Sequence, residues 1–309
     1  MHNKEYSHVF ELLEEGKIPT EYAIQKMIQQ QDDKEDEKEL EALMKELDSL
    51  IGLDKVKKLT KELQAYIYIQ KKRKEEGLSA NSLVLHMIFK GNPGTGKTTV
   101  ARLLGKIFST MGVLEKGHMI EVERADLVGE YIGHTAVKVR DHIRKALGGI
   151  LFIDEAYSLA RGGEKDFGKE AVDALVKGME DHKDDFILIL AGYKEEMDRF
   201  LKVNPGLKSR FPIHIDFPDY TLEELLQIGE IMVQKRQYEL SMTAKAKISK
   251  IISQKRVEDS LNSGNARLVR NIVERAIRKQ AVRLKKSKTF SREDLMILKR
   301  EDITEEDDG

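Results

Sequence analysis

Apolar positions are spaced for helices at both ends of this chain and for short strands alternating with helices in its middle. Between Tyr6 and Gln31, the residues Val9, Phe10, Leu12, Leu13, Tyr22, Ala23, Met27 and Ile28 recur at helical intervals, with a break around Gly16 and Pro19. Two short helices are predicted there. Gln31 to Glu39 is wholly charged or polar, the pattern of a solvated linker or an exposed helix, so residues 1–40 read as a flexible helical N-terminal extension. Leu40 to Gly77 returns to helical spacing, broken at Ile51-Gly52-Leu53-Asp54, where glycine ends one helix and aspartate caps the next.

From Leu83 to Pro218 the runs Leu83 to Phe89, Met119 to Val122, Ile150 to Ile153, Phe186 to Ala191 and Ile213 to Ile215 alternate with helical stretches. Such alternation predicts an α/β unit: a mainly parallel sheet with helices on both faces and ligands beyond the carboxyl ends of its strands. We assign it residues 41–218. Beyond Pro218 no strand is expected. Thr221 to Glu239, Thr243 to Lys255 and Asn265 to Lys285 read as helices, the first opened by a Thr221/Glu224 capping box, giving a small all-helical unit over 219–300. Residues 301–309 are acidic, lack apolar periodicity and are expected to be a disordered tail.

Composition narrows the function. The 309 residues carry 53 basic and 54 acidic side chains, so no global field draws the chain to nucleic acid or anionic lipid. With no cysteine there is neither a disulfide framework nor a Cys-type zinc site, and the eight histidines show no compact ligand spacing. The longest apolar runs are strand-sized, so no membrane span and a cytoplasmic location are expected.

Chemistry concentrates after two of the strands. Gly91-Asn92-Pro93-Gly94-Thr95-Gly96-Lys97-Thr98, followed by Thr99, fits the phosphate-loop pattern and lies between an apolar strand and a helix. Glycines let backbone N–H groups converge on ATP phosphates, Lys97 reaches the β and γ phosphates, and the Thr98 hydroxyl binds Mg²⁺. Ile150 to Ile153 ends in Asp154 and Glu155. Alone, such a pair is usually a solvated loop start. Downstream of a phosphate loop, Asp154 holds the Mg²⁺ shell and Glu155 activates the attacking water.

With a helical unit following, these motifs resemble the AAA+ branch of the P-loop NTPases, over about Leu50 to Lys285. The strings Gly129-Glu130-Tyr131-Ile132-Gly133-His134-Thr135-Ala136, Ala191-Gly192-Tyr193-Lys194, Asn204-Pro205-Gly206-Leu207 and Ile215-Asp216-Phe217-Pro218-Asp219-Tyr220 resemble the group that contains red-type Rubisco activase and stage V sporulation protein K. Within that group the resemblance points to the sporulation branch, hence to the mother-cell cytoplasm. It implies an ATP-dependent homohexamer with ATP between subunits, and a helical lid over 219–300. Arg210 matches the arginine finger, with Arg199 a competitor and an ordinary surface ion pair the alternative. Arg267 matches the second sensor reaching the phosphates from the lid, against a structural salt bridge. Ile51 and Gly52 resemble the segment that packs on adenine. Tyr131-Ile132-Gly133 resembles a pore loop gripping a client polypeptide, although a half-buried loop tyrosine reads the same in isolation. The usual first-sensor Asn or Thr is replaced by Ala191-Gly192-Tyr193, which leaves that role unassigned.

Three functions follow. The leading one is an ATP-hydrolysing remodeller of a client protein. A nucleic-acid motor on the same core is the second, with Lys285-Lys286-Ser287-Lys288 among the few basic clusters. The third is a slow oligomeric switch, disfavoured by the presence of Glu155 and Arg210.

Overall fold

In the computed structural model the described residues are 12–13, 17, 19–79, 83–131, 133–161, 167–258, 264–287 and 289–305, without the side chains of 22–24, 26–33 and 205. Strands β1 (Met87–Gly91), β2 (Met119–Val122), β3 (Ile150–Ile153), β4 (Ile187–Gly192) and β5 (Ile213–Phe217) form one parallel sheet in the order β2-β3-β4-β1-β5. In β3 and β4 the apolar runs are continuous because both faces are covered, whereas the edge strands β2 and β5 carry the exposed Glu121 and His214. Alternate residues divide accordingly. Met87, Phe89, Ile150, Phe152, Ile187 and Ile189 enter one core, whereas Ile88, Leu151, Ile153, Leu188 and Leu190 enter the other.

Helices α1 (Thr20–Ser49), α2 (Asp54–Glu75) and α3 (Lys97–Thr110) cover the first face. The short α4 (Arg124–Leu127) is followed by α5 (His134–Ala146), α6 (Gly168–Asp181), α7 (Lys194–Val203) and α8 (Pro205–Arg210), which cover the second. The first strand begins later than its apolar run suggests. Leu85 and His86 are buried, but pairing with β5 starts at Met87 opposite Ile213, so Leu83 to His86 have no ladder partner.

The charged stretch at 31–39 is helix, not linker. No Gly or Pro interrupts Thr20 to Ser49, and Leu40, Leu43, Met44 and Leu47 bind the end of α1 to the core. The helix therefore runs through residue 40 without a break. Of the helix expected before Pro19, Leu12 and Leu13 are helical and the remainder lies outside the described residues.

After Phe217 come α9 (Leu222–Gln234), α10 (Met242–Glu258), α11 (Asn265–Lys286) and α12 (Arg292–Met296) around their own core of Leu225, Ile248, Ile252, Val269, Val273 and Ile303. The expected capping box is present: Glu224 N–H donates to Thr221 Oγ1 at 3.2 Å and Thr221 N–H to Glu224 Oε2 at 2.6 Å. Two expectations fail here. The lid contains a parallel two-residue pair, β6 (Glu239–Leu240) with β7 (Ile297–Leu298), because Gln237 turns left-handed and ends α9 early. The tail is also held as far as it is described. Ile303 is fully buried, and Arg283 donates to both Asp302 oxygens at 2.8 and 2.9 Å.

Candidate active site

The loop between β1 and α3 turns on Gly94 (φ +74) and Gly96 (φ +96), left-handed positions that a side chain strains. Gly96 caps α3, so the unpaired N–H groups of a fourteen-residue helix open toward the loop. Lys97 Nζ donates to the carbonyls of Gly91 and Asn92, each at 2.8 Å. Burial holds its ammonium below the usual lysine range; Asp154 pulls the pKa back up and Arg267 pushes it down.

These groups wall a cavity of about 380 Å³ that contains Lys97, Thr98, Thr99, Asp154, Glu155, Tyr193 and Arg267. The sheet explains why distant segments meet: β1, β3 and β4 are adjacent, so the residues after their carboxyl ends share one edge. Glu155 is left-handed (φ 46), which costs about 1–2 kcal/mol for a residue with a Cβ. Its N–H is tied to Asp154 Oδ1 at 2.9 Å. Tyr157, pushed up in pKa by burial and by the neighbouring Glu155 carboxylate to which it hydrogen-bonds, stands 5.9 Å from the Tyr193 ring. Tyr193 therefore occupies the wall beyond β4 where sequence reasoning assigned no residue. The Ala191-Gly192-Tyr193 string was the available signal, but a phenol was not expected there.

The lid closes onto the loop by direct bonds. Ala266 N–H donates to Gly94 O at 3.1 Å, and Tyr220 Oη donates to Thr95 O at 3.1 Å. Asn265, fully buried, receives Tyr220 N–H on Oδ1 at 3.1 Å and donates from Nδ2 to Asp219 Oδ1 at 2.8 Å and Pro93 O at 3.4 Å. Asn92 Nδ2 donates to the same Asp219 carboxylate at 3.0 Å. Burial, then Glu224, pushes the Tyr220 phenol up to about 12, so it remains a donor at neutral pH. Periodicity does not reveal Asp219, Tyr220 and Asn265 as a group, because they meet only when the lid folds back on the loop.

The other candidates fall elsewhere. Ile51 and Gly52 lie outside the cavity wall: a Cβ at Gly52 would stand 2.7 Å from Glu224 Oε1, against the hinge side of the lid. Arg210 is away from the cavity, where it pairs with Glu180 and donates to Gly206 O at 2.8 Å. Arg199 is exposed beside Glu195 and Glu196. Tyr131 is 65% exposed, edge-on to His134 at 5.3 Å, just ahead of the left-handed Gly133 that opens α5. Ile132 lies outside the described residues. Among the described residues no helix is long and apolar enough to cross a membrane.

Chemically, the cavity offers backbone donors and a lysine for phosphate oxygens. The hydroxyl of Thr98 and the carboxylate of Asp154 form an all-oxygen donor set suited to a hard cation such as Mg²⁺. Residues 87–219 match the model of the ATPase family associated with various cellular activities (AAA), and residues 221–309 match the AAA lid domain. Stage V sporulation protein K of Bacillus subtilis is 56% identical over 86% of this chain and 83% of its own length. The chloroplastic ribulose bisphosphate carboxylase/oxygenase activase of Cyanidioschyzon merolae is 46% identical over 86% and 91%. Among solved structures, the FIGL-1 AAA domain in complex with ADP aligns with a TM-score of 0.53 at 18% identity, covering 82% of this chain and 80% of that one; it speaks for the fold alone.

Proposed function

Since this chain belongs to the AAA family of ATPases, we propose that it hydrolyses Mg·ATP in the cavity between β1, β3 and the lid, and uses the cycle to remodel a client protein. The observation that carries this reading is the convergence of Lys97, Thr98, Asp154, Glu155 and Arg267 in one cavity. In that role Lys97 exchanges its loop carbonyls for phosphate oxygens. Thr98 and Asp154 would hold Mg²⁺, which supplies charge neutralisation on the β and γ phosphates when bound. Glu155 orients and deprotonates the attacking water, with Tyr193 beside it on the wall.

Arg210, out of reach of its own cavity, suits a finger offered to a neighbouring subunit of a hexamer. It would leave Glu180 to do so, and such fingers contribute ~10³–10⁵ in rate. Exposed Tyr131 suits a pore loop that grips polypeptide through a large amphipathic ring. Similarity to the sporulation relative favours a cytoplasmic client in a sporulating cell.

The test is the Glu155→Gln chain, weighed in solution with and without Mg·ATP, beside ATP turnover of the unmodified chain. A roughly six-fold mass rise with ATP, together with turnover lost in the variant, is expected. A variant that binds ATP and stays monomeric removes the ring and the pore. Tyr131→Ala should keep ATP turnover and lose the cellular role; retention of that role would count against remodelling.

A further inference from the structure

The cavity carries more positive charge than the residues assigned above account for. Four cationic side chains line it, Lys97, Arg102, Arg267 and Arg270, against the carboxylates of Asp154 and Glu155. Arg267 and Arg270 stand three residues apart on α11, which puts both on one helix face, about 4.5 Å apart along the axis. Arg102 faces them from α3, one turn beyond Thr98, and its nearest carboxylate, Glu121, is 3.6 Å away and outside the cavity. Among the described residues the Arg270 guanidinium has no hydrogen-bond or ion-pair partner. A planar fork of donors left without a carboxylate, on the wall of a cavity built to hold phosphate, is suited to a phosphate oxygen.

Charge balance says which ligand. The surplus of two positive charges is cancelled by a magnesium–nucleoside triphosphate and only partly by the diphosphate. Arg267 lines the same cavity as Lys97 and follows Ala266, whose N–H donates to Gly94 O of the loop at 3.1 Å. Arg270, one turn farther along the lid helix, lines the same cavity.

We propose that Arg270 is a second lid cation for the terminal phosphate, so that docking of α11 against the loop reports triphosphate rather than diphosphate. The proposal deepens the nucleotide-site reading and rests on it. The lid bonds at Gly94 and Thr95 are made to backbone carbonyls of the loop and not to the nucleotide. A contact made only with the terminal phosphate gives the lid a differential affinity for the two states.

The experiment is equilibrium binding of fluorescently labelled ATP and ADP to the full chain carrying Glu155→Gln, so that ATP persists, with and without Arg270→Ala. Arg270→Lys and Lys97→Met are run alongside. Loss of one charge-assisted phosphate contact is expected to weaken ATP about tenfold while ADP changes less than about twofold, with the lysine variant intermediate. Melting without nucleotide should match the parent, since Arg270 has no partner among the described residues to lose. Equal weakening of both nucleotides, or no change in either, overturns the proposal. If the parent binds neither nucleotide, or Lys97→Met binds both as the parent does, the nucleotide-site reading itself falls. The two failures are thereby distinguished.

Discussion

Asn265 joins the lid to the phosphate loop, and its substitution gives the sharpest test of how that seam is held. The residue is fully buried, adopts φ 41, and supplies an acceptor to Tyr220 N–H and a donor to Asp219. Asn265→Ala strands a buried amide, at about 1–3 kcal/mol, and removes a hydrogen bond to a carboxylate, at about 1.5–3 kcal/mol. It also places a less tolerant side chain at positive φ. These losses overlap, so about 3 kcal/mol is expected, a fall in Tm of roughly 6–12 °C. Asn265→Asp separates the terms. It keeps the acceptor for Tyr220 but sets a second carboxylate against Asp219, where the amide donor stood 2.8 Å away. Two such carboxylates cannot both ionise cheaply, so the pair takes up a proton in the folded state and its folded pKa rises. The variant is therefore expected to approach the parent below about pH 4 and to fall behind it as pH rises toward neutrality. Urea and thermal melts from pH 4 to 8, with ATP binding measured in parallel, check this. An alanine variant within about 0.5 kcal/mol of the parent, or an aspartate variant equal to it at neutral pH, would refute the seam as described.

Three further outcomes are expected. His86 is buried against Phe186 and Phe211, accepts Leu188 N–H at 3.0 Å, and has its pKa held down to about 4 by burial. Because the unfolded chain takes up its proton near pH 6.5, stability should fall by up to about 3 kcal/mol between pH 6.5 and 4; a His86→Gln chain with the same slope would contradict this. Gly94→Ala would put a Cβ 2.5 Å from Gly264 O and 2.9 Å from Arg267 N, which displaces the lid, so ATP affinity should drop about tenfold or more; unchanged calorimetric binding would show that the lid need not approach so closely. Asp302→Ala strips Arg283 of its bidentate partner at the edge of the lid core and should cost about 2–4 kcal/mol; a melt within about 0.5 kcal/mol of the parent would return the tail to the role of an ornament.

The amino-acid sequence by itself determined the parts whose signals are local. β3 lies where its apolar run lies, because a continuous run of Ile, Leu and Phe has few ways to be buried except between two helical layers. The glycine turn between β1 and α3 was legible for a similar reason, since its glycines, lysine and threonine are neighbours along the chain. Asp154 and Glu155 could be read only against that loop. Tertiary structure decided what depends on meetings between distant segments. Charged residues such as those at 31–39 are compatible with linker or helix, and the anchoring of Leu40, Leu43, Met44 and Leu47 settled them as helix. The acidic tail has no periodicity to read, yet one isoleucine and one aspartate hold its residues 301–305 once a matching core and Arg283 are present. Tyr193 reaches the wall because β4 lies beside β3 and β1 in the sheet, whereas the Asp219–Tyr220–Asn265 seam and the entry of Arg267 and Arg270 into the cavity arise from the lid folding back on the loop. Hydrogen bonds and charge balance act through space, and a linear pattern records only what lies within a turn or two along the chain.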